Sequence, residues 1–335
     1  MKSKFYFSLI VFFLLITFIV KGEIRVGIIG LDTSHAPEFV KSLNAEISKP
    51  EYAGFKVVAA YPYGSKTIKS SYDRIPKYTE EVKKYGVKIS NSIEEMLKEV
   101  DCVMLETNDG NLHLEQALLI FKAGKPVFID KPIGANLAQA IAIYKMAEKY
   151  HVPLFSSSAL RYSPDNQKLR KGEMGKVFGV DAFSPGRMEP SHADLAWYTI
   201  HGVEIMYTIM GKGCESVQRT NTEGSDFIVG KWSDGRIGTV RGIRDGMSSY
   251  GGLAITDKNV VPAGGYSGYD PLLVEIVQFF KTKVPPISKE ETLEIFAFIE
   301  AADMSKEKGG KTVTIADAMK KSQKEAKGLI KKLKK

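Results

Sequence analysis

Cysteine is nearly absent: the 335-residue chain has two, Cys102 and Cys214. That excludes a disulfide framework and any Cys-pair metal site. Both cysteines fall in apolar segments and read as buried free thiols. Long apolar runs are scarce as well. The conspicuous one, Phe5 to Val20, is shorter than the roughly 20 residues that cross a bilayer. With 44% hydrophobic and 26% charged residues, the chain is neither a multi-pass membrane protein nor disordered or collagenous. It has no HExxH, no Gly-x-Ser-x-Gly, no internal repeat, and no low-complexity segment outside a lysine-rich end. None of Asp32, His35, His113, His192 and His201 stands at metal-ligand spacing, so no metal site is expected. The basic excess is thin too. Of the net charge of +8, the first 22 residues contribute +3 and residues 319–335 contribute +7, leaving the body between them at −2. A near-neutral body carries no footprint for a polyanion, and nucleic-acid binding is not expected.

What is present begins with a leader. Lys2 and Lys4 precede the apolar run, and Val20-Lys21-Gly22 follows it, which reads as a secretory signal peptide cleaved after Gly22. The expectation is a periplasmic or extracellular protein without a membrane anchor after cleavage. From Glu23 onward short apolar runs alternate with amphipathic ones. Strands are expected at 24–30, 56–61, 102–106, 127–129 and 154–156, with helices at 37–47, 79–85, 93–100, 112–123 and 137–151. Such alternation builds a parallel sheet, because parallel neighbours need a crossover connection. Beyond residue 157 the texture changes to hairpin-like strands at 177–183, 227–232 and 237–243, with a tight turn at Ser233-Asp234-Gly235-Arg236. Helices are expected at 198–210, 271–281, 289–306 and 315–333. The fold class is therefore α/β: a Rossmann-like doubly wound domain over 23–156, then an α+β domain with an open, mostly antiparallel sheet over 157–318 for substrate binding and oligomerisation, and a lysine-rich helix over 319–335.

The first strand runs into Gly30-Leu31-Asp32-Thr33-Ser34-His35. In a dinucleotide-binding fold this turn cradles pyrophosphate on backbone amides and the following helix N-terminus. Gly30 supplies the turn, but Asp32 and His35 stand where the fingerprint has its second and third glycines. Asp32, Thr33 or Ser34 also reads as a cap for the helix containing Pro37. The second strand ends in Tyr61-Pro62-Tyr63-Gly64-Ser65-Lys66 in place of the acid that holds the adenosine ribose. Ser65 with Lys66 favours the 2′-phosphate of NADP over NAD, although a surface turn accounts for the same residues.

Further on, the third strand ends in Thr107-Asn108 and is followed by His113. Then comes Ala123-Gly-Lys-Pro-Val-Phe-Ile-Asp130-Lys131-Pro132. This order of elements resembles the glucose-fructose oxidoreductase, inositol 2-dehydrogenase and rhizopine catabolism (Gfo/Idh/MocA) family, with Asp130-Lys131-Pro132 at its Glu-Lys-Pro motif. Arg161 before Gly175-Lys176-Val177 resembles the entry to the family's second domain, and the segment from Pro286 to Ser305 its closing helices. The resemblance implies a catalytic pair, Lys131 and His201, and a cofactor site of Gly30, Leu31, Asp32, Thr33, Ser65, Thr107, Asn108, His113, Asp130 and Lys131, with Arg161, Trp197 and Tyr198 facing the substrate. The acid the family places four residues before the histidine is Trp197 here. Glu204 stands three after it, and Asp194 is a distant substitute.

The activity implied is NAD(P)-dependent hydride transfer to or from a sugar, sugar-acid or cyclitol hydroxyl, with a tightly retained cofactor and a homo-oligomeric state. The lost glycines and the lost ribose acid leave two alternatives open. One is a lyase, hydrolase or epimerase that works on a keto-sugar without net redox. The other is a non-catalytic carbohydrate-binding homologue.

Overall fold

A computed structural model describes residues 22–333; the expected leader lies outside them. The short apolar runs become strands, the later three of which, from Cys102, Val127 and Leu154, are buried on both faces, as parallel strands covered by helices are. In chain order the first half comprises β1 (Ile24–Ile29), α1 (His35–Leu43), β2 (Phe55–Tyr61), α2 (Lys69–Tyr72), α3 (Ile75–Lys83), β3 (Lys88–Ile89), α4 (Ile93–Leu97), β4 (Cys102–Leu105), α5 (Gly110–Lys122), β5 (Val127–Asp130), α6 (Leu137–Lys149) and β6 (Leu154–Ser157). Every pairing in this sheet is parallel, and the strand order is β3-β2-β1-β4-β5-β6. The order reverses between β1 and β4. In open α/β sheets that switch point opens a crevice beyond the C-terminal strand ends, where ligands bind.

The second half comprises α7 (Pro164–Arg170), β7 (Val177–Pro185), α8 (Ile200–Met210), β8 (Cys214–Asn221), β9 (Ser225–Trp232), β10 (Ile237–Ile243), β11 (Gly251–Thr256), β12 (Val260–Ala263), α9 (Asp270–Thr282), α10 (Lys289–Glu307), β13 (Val313–Thr314) and α11 (Ile315–Lys332). Its sheet runs β12-β11-β7-β10-β9-β8-β13. The sheet is mostly antiparallel, as the hairpin texture predicts, with one exception: β7 and β10 pair in parallel along their whole length. The excursion through α8, β8 and β9 brings the chain back to β7 from the far side. Val180, Ala182, Ile228, Val240 and Ala254 face inward and are buried, with β7 and β10 packed on α8. The lysine-rich end continues a helix that already starts at Ile315. With α10 it packs on α6 of the first sheet's outer layer, so its lysines form the wet side of a docked helix. Cys102 and Cys214 are buried free thiols. Among the described residues no helix is long and apolar enough to cross a membrane.

Candidate active site

The turn after β1 is shaped by a close approach. Gly30 has φ +90°, and a Cβ there would stand 2.5 Å from the Thr107 amide nitrogen, which only glycine permits. Its amide donates to the Tyr61 carbonyl at 2.8 Å, and that of Leu31 to the Pro62 carbonyl at 3.0 Å. Leu31 is fully buried. It therefore belongs to the core, and its amide is already committed, contrary to the cofactor role expected of it.

Helix capping does not explain this turn either. Ser34 occupies the N-cap position with a helical backbone (φ −69°, ψ −16°) and makes no side-chain cap, because that backbone turns its hydroxyl away from the first-turn amides. The Ser34 hydroxyl instead lies 3.1 Å from the Tyr269 hydroxyl. Asp32 caps nothing: its Oδ1 accepts from the Asn108 amide at 3.1 Å. Burial pushes this carboxyl up to about 6, against the pull of the Asn108 and Ser65 amides.

These residues fit a nicotinamide dinucleotide. Gly30 forms the tight cradle, Thr33 and Thr107 hold buried hydroxyls with no partner among the described residues, and α1 points its N-terminus into the crevice. Asp32 is an anionic intrusion in the turn; a phosphate oxygen beside it would raise its already elevated pKa further, toward the protonated form that donates a hydrogen bond. A second cavity beside the crevice is lined by Tyr61, Tyr63, Gly64 and Lys66.

Two expected cofactor residues are structural. The Ser65 hydroxyl accepts from the Thr67 and Ile68 amides, closing its own turn. His113 is fully buried, with its ring nitrogens on the Thr107 and Ile133 carbonyls at 2.6 and 3.2 Å. It fixes the Thr107 end of β4 from below.

At the mouth of the crevice a cavity of about 220 Å³ is lined by both halves of the chain. Thr33, Asn108, Asp130 and Lys131 come from the first half; Tyr198 and His201 come from the second. The structure thus brings together Lys131 and His201, which the sequence separates by seventy residues. His201 Nδ1 lies 2.7 Å from the Ser158 hydroxyl. Burial and the Lys131 charge hold its imidazole well below its ordinary value, so it is neutral at pH 7. The Lys131 ammonium sits over the Tyr198 ring, 6.0 Å from its centroid. Sequence reading missed Arg74, Tyr250, Tyr266 and Tyr269, which complete the wall. Tyr250 stands just before β11, and Tyr266 and Tyr269 just before α9, in glycine-rich connections that carry no motif to find them by.

Other expectations do not survive the geometry. Arg161 is 2% exposed and gives Nε to Glu204 at 2.6 Å and Nη1 to Glu291 at 2.7 Å. A guanidinium so engaged has no reach to a substrate, and Glu204 is spent on the same pair. Trp197 is buried against His192, ring centroids 4.9 Å apart, so the stacking wall reduces to Tyr198. Asp194 is bound to Arg219 and Lys306.

His192 is a neutral acceptor. Its Nε2 takes the Gly110 amide at 3.0 Å, anchoring the start of α5, and burial brings its pKa down to about 4. A histidine with a depressed folded pKa contributes stability that is whole above its unfolded value near 6.5 and is lost as pH falls toward 4. Between pH 7 and pH 4 the native protein should lose on the order of 3 kcal/mol relative to His192→Gln. Urea midpoints of both proteins across that range read the difference, and parallel profiles would refute the assignment.

At the cavity floor, His35 Nδ1 lies 3.0 Å from Asp130 Oδ2 and 3.7 Å from Glu106 Oε2. Burial works against a charged imidazole here, but Asp130 and Glu106 carry it up to about 10, and burial pushes Glu106 upward. No motif spacing announces this cluster, because its members come from the start of α1 and the ends of β4 and β5.

Strand order, switch-point crevice and two-domain cavity define a dinucleotide-binding protein of the Rossmann class. The family description "Oxidoreductase family, NAD-binding Rossmann fold", that of the Gfo/Idh/MocA family model, matches residues 24–158, the first domain. An uncharacterized protein of Saccharomyces cerevisiae is 41% identical over 69 residues, 21% of this chain and 20% of that protein. The myo-inositol 2-dehydrogenase of Thermotoga maritima is 27% identical over 146 residues, 40% of this chain and 43% of that protein. The chain thus matches less than half the length of either curated relative. A scyllo-inositol dehydrogenase from Lactobacillus casei, solved with bound NAD(H) and scyllo-inositol, shares the fold at a TM-score of 0.67 and 15% identity, over 88% of this chain and 99% of that one.

Proposed function

We propose that the protein is an NAD(P)-dependent oxidoreductase acting on a CH–OH group of a sugar, sugar acid or cyclitol. One observation carries this reading: Lys131 and His201 line one cavity at the switch point of a Rossmann sheet, beside a glycine cradle. The inositol dehydrogenases among its relatives and fold neighbours support the substrate class. When bound, the nicotinamide supplies the hydride acceptor or donor. The chain's own residues handle the proton and the charge. The neutral His201 imidazole, oriented by Ser158 at Nδ1, takes the carbinol proton at Nε2. The Lys131 ammonium steadies the oxyanion left behind. Because His201 holds a proton weakly, it returns it readily to a ketone oxygen in the reverse direction. Tyr198, Tyr250 and Tyr269 offer aromatic faces to the C–H side of a ring.

The reading includes export by the leader with the cofactor retained, and NADP rather than NAD, through Lys66 beside the second cavity. It also includes a homo-oligomer paired through the outer face of the second sheet, where Phe227, Ile237, Leu253 and Ile255 are exposed. Asp32 in the pyrophosphate turn favours a second reading, chemistry on a keto-sugar without net redox. Denaturing the purified full chain and assaying released nicotinamide by mass spectrometry, followed by turnover with a panel of sugars, sugar acids and cyclitols, separates the two. Bound or titratable NAD(P) with net oxidation of a polyol is expected. Substrate conversion without change in nicotinamide redox state would establish the second reading, and neither binding nor conversion would overturn both.

A further inference from the structure

The cluster at the cavity floor is not used by the proton chemistry. Glu106 and Asp130 are 0% and 1% exposed, and neither carboxylate has a hydrogen-bond partner among the described residues. His35 Nδ1 is close to both, yet it makes no hydrogen bond either, because its approach to Asp130 misses the direction a ring N–H would take. Buried carboxylates left without donors are strongly disfavoured. A single proton on His35 would match only one of the two. The three donor atoms lie within 4.8 Å of one another, close enough for a single ion to reach all three.

We propose that His35, Glu106 and Asp130 bind a divalent transition-metal cation of the zinc and manganese class. One imidazole nitrogen with two carboxylate oxygens suits these borderline ions, whereas calcium and magnesium prefer oxygen alone. Two carboxylates balance the two charges of the ion, which displaces the proton on His35 and satisfies the second carboxylate that this one proton leaves unmatched. Three protein ligands leave coordination positions open. His35 and Asp130 also line the cavity, so an open position faces the same space as Lys131 and His201, where it would take a water or a substrate hydroxyl oxygen. The site stands on these three side chains alone and does not depend on which nicotinamide, if any, the crevice takes.

The test uses the full chain purified without chelators or affinity metals. Elemental analysis is expected to find one zinc or manganese ion per chain. After EDTA treatment, adding Zn²⁺ or Mn²⁺ should raise Tm, by on the order of 5 °C, and Mg²⁺ should not. Glu106→Gln keeps the shape and removes the charge; it is expected to weaken binding by more than about 100-fold, beyond what losing a ligand's hydrogen-bonding neighbour costs. Co²⁺ added to the native protein should produce ligand-field absorption, which keeps the test decisive if Glu106→Gln does not fold. An ion-free protein with no Tm response and no cobalt spectrum would overturn the proposal, as would undiminished binding by Glu106→Gln or a response to Mg²⁺ equal to that for Zn²⁺.

Discussion

Lys131→Met should lower kcat for polyol oxidation by about 10²- to 10⁴-fold, the range that a positioned acid–base or charge-stabilising group contributes. Lys131 follows β5 directly, at the C-terminal edge of the first sheet, and lines the cavity with His201. Its ammonium over Tyr198 supplies the positive charge that a developing alkoxide needs. Methionine keeps much of the length of the stem and removes that charge, so binding of the polyol should change less than turnover. The loss should therefore appear in kcat with a smaller change in KM. His201→Asn should give a loss of similar size, and the double variant little more, because the two act on one proton transfer. Thermal melts of each variant guard against a folding artefact. A Lys131→Met enzyme with kcat within a factor of a few of the native value would remove Lys131 from the chemistry.

The first domain was largely legible because parallel strands under two helix layers leave continuous apolar runs such as Cys102–Leu105, and the intervening amphipathic stretches have helical period. Two-residue β3 leaves no such trace. In the second domain β8 escaped because its inward positions, Cys214, Val217 and Arg219, include a charge. Arg219 is buried only because Asp194, Asp226 and Asp303 surround it. Lys131 and His201 were legible through motif order. The tyrosine wall and the His35, Glu106 and Asp130 cluster were not, because both are products of tertiary convergence. His35 stands where the dinucleotide fingerprint has glycine. A single sequence shows that substitution as a lost cradle residue, and only the fold shows that its ring reaches the ends of β4 and β5.

Arg161→Ala should destabilise the protein by about 3–5 kcal/mol, the typical cost of removing one partner from a buried ion pair. Arg161 begins the passage from β6 into the second domain and is held between Glu204 of α8 and Glu291 of α10. Those carboxylates are themselves buried. Arg170 also reaches Glu291, at 3.0 and 3.1 Å, so Glu291 keeps a counter-charge when Arg161 is lost. Among the described residues Glu204 is then left with only the Ser157 hydroxyl, at 2.8 Å. The penalty therefore falls mainly on Glu204. Replacing both Arg161 and Glu204, as Arg161→Met with Glu204→Gln, should recover much of the loss, since it removes the stranded charge along with its partner. Urea denaturation of the single and double variants measures this directly. A substrate-binding arginine would behave otherwise: Arg161→Ala would raise KM sharply in a protein whose urea midpoint had barely moved. The expected result is the reverse, a large fall in midpoint with KM of the remaining folded enzyme close to native.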